Sequence, residues 1–186
     1  MEYSKILVDI LAELSENAKR VSAADLERLA EFILSGKRVY VAGVGRSGFA
    51  ARAFSNRLMH LGLTVYFVGE PTTPAIQADD VLIIGSGSGE TGSMVSIARK
   101  AREIGARIAT LTVRPEGTIG TLAEVVVEIP GITPKKELSD EHRSIQPMAN
   151  AFEQMCWLVY DTVIVLLMGK LNKNEAEMYA LHANLE

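Results

Sequence analysis

The chain has 186 residues, 48% of them hydrophobic and 23% charged, with 19 Lys and Arg against 23 Asp and Glu for a net charge of −4. Set against a soft prior of about 150 residues per domain, this length and composition predict one globular domain and exclude extended disorder. The acidic balance offers no basic field for nucleic acid or for an anionic membrane surface.

The single cysteine, Cys156, excludes an internal disulfide and a cysteine-based metal site, and it fits a reducing cytoplasm. Met1–Arg20 mixes charges with apolar residues and does not read as a signal peptide. Within it Ile6, Leu7, Ile10, Leu11 and Leu14 recur at helical spacing. Ser22 reads as the N-cap of a second helix, Ala23 to about Ser35, closed by Gly36. Residues 1–36 are therefore expected to be helical, and residues 37–130 to form a sheet core.

In that core Arg38–Ala42 is a β-rich run followed by a Gly-rich turn, and Ser47–Leu61 returns to a helical period ended by Gly62. Leu63–Val68 is a strand candidate that leads into a loop, Gly69–Ala78. The first unit then recurs as strand Asp80–Ile84, Gly-rich turn Gly85–Gly89 and helix Thr91–Ile104. Ala106–Val113 and Glu124–Ile129 bring the strand candidates to five. Several are continuous apolar runs, as in strands buried on both faces of a parallel sheet.

The pattern predicts an α/β fold with a doubly wound five-stranded parallel sheet, a flavodoxin-like three-layer sandwich with helical N- and C-terminal extensions. Gly131–Arg143 is polar and charged and reads as a loop, either a lid or a disordered connection. Residues 144–186 follow as a C-terminal helical region: one long helix over Ser144–Leu171 with Pro147 in its first turn, then a short helix or tail over Asn174–Leu185. The most apolar stretch, Met155–Met168, is too short for a membrane span and contains Asp161, so it is expected to be a buried helix and no membrane partner is expected.

Two glycine-rich turns carry the chemistry. Gly43-Val44-Gly45-Arg46-Ser47-Gly48 matches G-x-G-x-x-G between a strand and a helix, and Glu70 stands where a dinucleotide fold places its ribose-binding acid. Its Arg46-Ser47 spacer, however, supplies a cation and a hydroxyl suited to direct contact with an anion. In the second turn, Ser86-Gly87-Ser88-Gly89-Glu90-Thr91, three hydroxyls straddle a helix entrance, where free N–H groups and the helix dipole favour a phosphate. No Gly-Lys-Ser/Thr ending follows, so the natural ligand is a phosphate monoester rather than a nucleoside triphosphate.

Between Arg143 and Lys170 the only charged residues are Glu153 and Asp161. Glu153 has no basic residue at helical spacing, and desolvation there would raise its pKa towards the range of a general base. His60 ends the first βα helix, where a terminal or core role competes with chemistry. His182 is near the C-terminus, and His142 falls in the charged loop. No His, Cys, Asp or Glu spacing points to a metal.

With these motifs the chain resembles the sugar isomerase (SIS) domain family, and within it the 6-phospho-3-hexuloisomerases. The resemblance covers nearly all of residues 1–186 as one SIS domain. It rests on Gly43–Gly48, Arg57-Leu58-Met59-His60-Leu61-Gly62, Val68-Gly69-Glu70, Gly85–Thr91, Gln146-Pro147-Met148 with Phe152-Glu153-Gln154, and His182-Ala183-Asn184-Leu185-Glu186.

The resemblance implies interconversion of D-arabino-hex-3-ulose 6-phosphate and fructose 6-phosphate in the ribulose monophosphate pathway of formaldehyde fixation. It implies no metal or nucleotide cofactor, a cytoplasmic homotetramer, and a functional pairing with 3-hexulose-6-phosphate synthase. By position, Ser47 and the loop Ser86, Gly87, Ser88, Gly89, Glu90 and Thr91 hold the phosphate with Arg46 nearby. Glu153 is the base, His182 enters from a neighbouring subunit, and His60 is a further candidate at the substrate. The alternatives are a regulatory SIS domain that binds a phosphosugar without turnover, set second because no DNA-binding segment is visible, and a nucleotide-linked oxidoreductase resting on Gly43–Gly48 and Glu70.

Overall fold

A computed structural model of the chain describes residues 3–131 and 144–185, so most of the expected loop Gly131–Arg143, His142 included, lies outside the described residues. Two helices lead the chain, α1 (Lys5–Ala18) and α2 (Ala23–Ser35). Ser4 and Ser22 cap them, each side chain accepting the N–H three residues on, from Leu7 at 3.4 Å and Asp25 at 3.2 Å.

The sheet strands are β1 (Val39–Gly43), β2 (Val65–Phe67), β3 (Val81–Gly85), β4 (Arg107–Thr112) and β5 (Val125–Glu128). All pair in parallel in the order β2-β1-β3-β4-β5. β3 is buried along its whole length, which explains its unbroken apolar run.

Helix α3 (Gly45–His60) follows β1, and α4 (Gly92–Ile104) follows β3. A short helix α5 (Thr118–Leu122) sits between β4 and β5 where only a connection was expected. At five residues, bracketed by Gly117 and including Gly120, it is too short to show a helical period. One apolar cluster packs α2, α3 and the long helix α6 (Asn150–Leu171) on one sheet face, and a second packs α4 and α5 on the other, giving three layers.

The approach of α3 to β1 explains two of the motif glycines. A Cβ on Gly48 would lie 2.8 Å from the Gly43 carbonyl oxygen, and one on Gly43 would lie 3.0 Å from Gly48 Cα. These glycines let a helix start directly against a strand, which a dinucleotide loop also requires. The hexapeptide therefore reports the packing before it reports any ligand.

The C-terminal region departs from the expected single helix over Ser144–Leu171. Met148 takes a left-handed φ of 56°, Ala149 is the N-cap, and α6 starts at Asn150, leaving Pro147 outside its first turn. Gln146 is buried and its amide donates to Glu13 of α1 at 3.2 Å, anchoring this bend. At 22 residues α6 is the one helix, among the described residues, long and apolar enough to cross a membrane by length and composition. Nine of its residues are buried against this chain, but Trp157, Leu158 and Val165 are exposed, so it is not the fully buried helix expected. α7 (Glu175–Tyr179) follows, with an Asn174–Glu177 capping box.

Candidate active site

In an order of β2-β1-β3-β4-β5 the chain reverses its winding between β1 and β3, and the crevice outside the carboxyl ends of those strands is where such sheets bind ligands. Gly43 pairs with Gly85 in the register, so both glycine-rich turns leave the sheet side by side at that point. Turns more than 40 residues apart in sequence thus share one site, by roughly the ~4.8 Å spacing of neighbouring strands.

In the second turn Ser86 is 4% exposed and its hydroxyl has no hydrogen-bond partner among the described residues. A buried, unsatisfied hydroxyl at the base of an anion loop is poised for a ligand atom, because leaving it unpaired costs free energy. Ser88 Oγ accepts the Glu90 N–H at 3.2 Å and lies 3.5 Å from Thr91 Oγ1, so the hydroxyls gather at the entrance of α4. Thr91 is the N-cap of α4 and makes no side-chain cap bond, leaving its hydroxyl for other use. Ser47 is differently placed: its hydroxyl donates to the Val44 carbonyl at 2.9 Å, bracing the first turn.

Glu90, expected among the phosphate-binding residues, is a tether. Its carboxylate accepts the Thr118 N–H at 2.7 Å and the Thr118 hydroxyl at 2.9 Å, fastening the loop to α5. Thr112 Oγ1 also donates to the Gly87 carbonyl at 3.3 Å. Thr112 and Thr118 were not legible as site residues, since only the tertiary fold brings them beside the loop.

Glu153 stands in the first turn of α6, and its neighbour Phe152 packs on the Ser86–Thr91 loop, where a Cβ on Gly87 would lie 3.1 Å from the ring. Glu153 has no basic residue at helical spacing, but it has a distant one: Arg46 Nε donates to Glu153 Oε2 at 2.5 Å across 107 residues. Helical spacing tests only local partners, and the partner comes from the first glycine-rich turn. Arg46 is accordingly engaged with the Glu153 carboxylate in this structure. Glu153 is mostly buried in the first turn of α6.

Two further buried polar groups lie along the same helix. The Tyr160 hydroxyl is without a partner among the described residues and sits 2.8 Å from where a Cβ on Gly85 would be. Burial, and then the charge of Glu153, push the Cys156 thiol well above its ordinary range.

The two histidines among the described residues, His60 and His182, lie elsewhere in this chain. His60 ends α3, about 22 Å from Gly45 along a helix of 16 residues. It is 3% exposed, with its ring stacked on that of His182 at 5.3 Å. Arg57 Nη1 approaches His60 Nδ1 at 3.4 Å, and Tyr179 stacks on His182 at 5.8 Å. Burial foremost, then the charges of Arg57 and His182, lower the His60 pKa. His60 is therefore not at the phosphate loop of its own chain.

Glu70, the candidate ribose acid, forms an ion pair with Arg52, whose guanidinium lies 4.0 Å over the Phe67 ring. Asp80, just before β3, is fully buried and accepts Arg38 Nη2 at 2.6 Å, Arg38 Nε at 2.9 Å and the Gln77 N–H at 2.7 Å. Among the described residues no three His, Cys, Asp or Glu side chains group as metal ligands.

Comparison with known proteins agrees with this geometry. The SIS domain profile matches residues 32–164. The chain is 41% identical over 186 residues to the 3-hexulose-6-phosphate isomerase of Bacillus subtilis (strain 168), covering all of both chains. It is 40% identical over 174 residues to that of Mycobacterium gastri, covering 94% of this chain and 86% of the other. Among solved structures, the hypothetical protein MJ1247 from Methanococcus jannaschii, for which a 3-hexulose-6-phosphate isomerase function was inferred, superposes with a TM-score of 0.80. It is 34% identical, with 97% of each chain covered.

Proposed function

The chain belongs to the SIS domain family, and from that premise we propose that it interconverts D-arabino-hex-3-ulose 6-phosphate and fructose 6-phosphate through a cis-enediolate. The carrying observation is the junction of a hydroxyl-lined anion loop, Ser86–Thr91, with an arginine-held carboxylate, Glu153, at the β1/β3 crevice. The names of relatives 40–41% identical to this chain support the substrate.

Moving a ketone from C3 to C2 removes the C2 proton and returns a proton to C3, so one carboxylate over one face serves both transfers. The carbon skeleton is neither oxidised nor reduced overall, and the step calls for no redox partner. In this reading Arg46 orients the Glu153 carboxylate, while Ser86, Ser88, Thr91 and the α4 N–H groups hold the phosphate, with Gly87 and Gly89 giving the loop its close approach. Binding energy from the unreactive phosphate end then positions C2 and C3 under the base.

The second proton, between the two oxygens, is assigned to His182 of a neighbouring subunit. Within one chain His182 rests on His60, at the other end of α3 from Glu153, which favours its supply by another copy. The enzyme is accordingly a homotetramer in this reading, cytoplasmic in keeping with its free buried Cys156, and its substrate comes from a 3-hexulose-6-phosphate synthase.

Coupling to glucose-6-phosphate isomerase and dehydrogenase reads the reaction as NADPH formed from hexulose 6-phosphate. Glu153→Gln is expected to slow turnover by roughly 10²–10⁴-fold while fructose 6-phosphate still binds. Binding of fructose 6-phosphate by the wild type without NADPH formation would instead identify a phosphosugar sensor.

A further inference from the structure

The phosphate end of the substrate is a dianion, yet the loop Ser86–Thr91 contains hydroxyls, N–H groups and one acid, and no cation. Arg46, the cation of the neighbouring turn, is bound to Glu153 at 2.5 Å. The loop nevertheless has an arginine planted against it. Val113 N–H donates to the Gly87 carbonyl at 3.1 Å, and Ile119 N–H donates to the Gly89 carbonyl at 3.1 Å. Thr112 Oγ1 donates to the same Gly87 carbonyl and accepts the Arg114 N–H at 3.0 Å. These bonds stitch residues 112–119 along the loop and place the Arg114 backbone at its side. Its guanidinium Nε donates to Glu116 Oε1 at 3.0 Å, in a pair whose acid is largely exposed.

We propose that Arg114 is a phosphate-binding residue of this site, exchanging the Glu116 carboxylate for the phosphate monoester of the sugar. The inference rests on the phosphosugar reading above. An exposed Arg–Glu pair contributes little, because solvent screens it, whereas a guanidinium meets a phosphate through parallel charge-assisted hydrogen bonds. The other charged group of the loop, Glu90, is held by both donors of Thr118. The unpartnered hydroxyl of Ser86 marks the ligand position independently of the arginine.

Calorimetric titration of the full chain with fructose 6-phosphate, and separately with inorganic phosphate, tests the exchange. Arg114→Gln is expected to weaken both ligands by roughly ten- to hundredfold, the worth of one charge-assisted hydrogen-bonding group, with Arg114→Lys intermediate. Glu116→Gln is expected to move the other way and tighten both, since it removes the competitor; a merely structural role for Arg114 would not produce that reversal. Circular dichroism confirms that each variant is folded. Binding by Arg114→Gln within about twofold of wild type, or no tightening in Glu116→Gln, overturns the inference and leaves the phosphosugar reading standing. A wild-type chain that binds neither ligand overturns both.

Discussion

Arg46 illustrates how a residue's type can be legible while its partner is not. A cation in a Gly-rich turn suits an anion, and the anion it meets is the Glu153 carboxylate. With its own side chain largely exposed, Arg46 contributes little to folding. In the proposed mechanism its contribution lies in fixing the Glu153 carboxylate. Arg46→Gln is therefore expected to leave the melting temperature near wild type and to lower kcat/KM by roughly ten- to hundredfold, the worth of a charge-assisted bond in the site. Parallel calorimetry and the NADPH-coupled assay check both halves of that expectation. Glu153, Ser86, Ser88 and Thr91 stand out as candidates in the sequence because residue type and spacing are read directly along the chain. Arg46 as the partner of Glu153, and Glu90 as a tether to Thr118, do not, because their partners are 107 and 28 residues away.

Among the elements, α3 joins two environments. Its N-terminus meets the site through Gly45–Gly48, while its C-terminus buries His60 beneath His182 and beside Arg57. Burial and these two neighbours hold His60 neutral, its pKa below the ordinary value of about 6.5. The unfolded chain therefore binds more protons as pH falls below about 6.5, so the stability His60 confers is complete above that pH and is lost as pH drops through the folded value. Urea midpoints are expected to fall between about pH 7.5 and pH 5, and to fall less in His60→Asn, whose lower starting stability has no such titration. Equal slopes for the two proteins would remove His60 as the source. The helices themselves were legible from period and caps, with ends shifted by the tertiary context. α6 begins at Asn150 because Met148 turns left-handed there, a conformation that no helical period reports.

For the whole molecule, the exposed apolar surface is the feature a single chain leaves unexplained. Phe49 is 66% exposed, Leu11 57% and Trp157 47%, around a groove of about 670 Å³ between α1, α3 and α6 that reaches Arg46 and Glu153. α1 has no buried residue despite its apolar stripe. Such a surface marks an interaction site. Sedimentation of the wild type is expected to show a particle of four times the 20.2 kDa chain. Leu11→Asp combined with Phe49→Asp is expected to release smaller species, because charges in an apolar interface are uncompensated. Activity should fall with the assembly if His182 is supplied by a neighbour. A wild-type monomer with full turnover would remove His182 from the mechanism.

The sequence by itself determined the α/β class, the five parallel strands and the two anion-suited turns. Apolar periodicity, glycine placement and hydroxyl spacing are local properties, written within a few residues. Only the tertiary structure decided that the turns adjoin at the β1/β3 crevice, that Arg46 holds Glu153, and that His60 and His182 share a far corner. Those relations join residues distant in the chain, and strand order and helix packing select each partner.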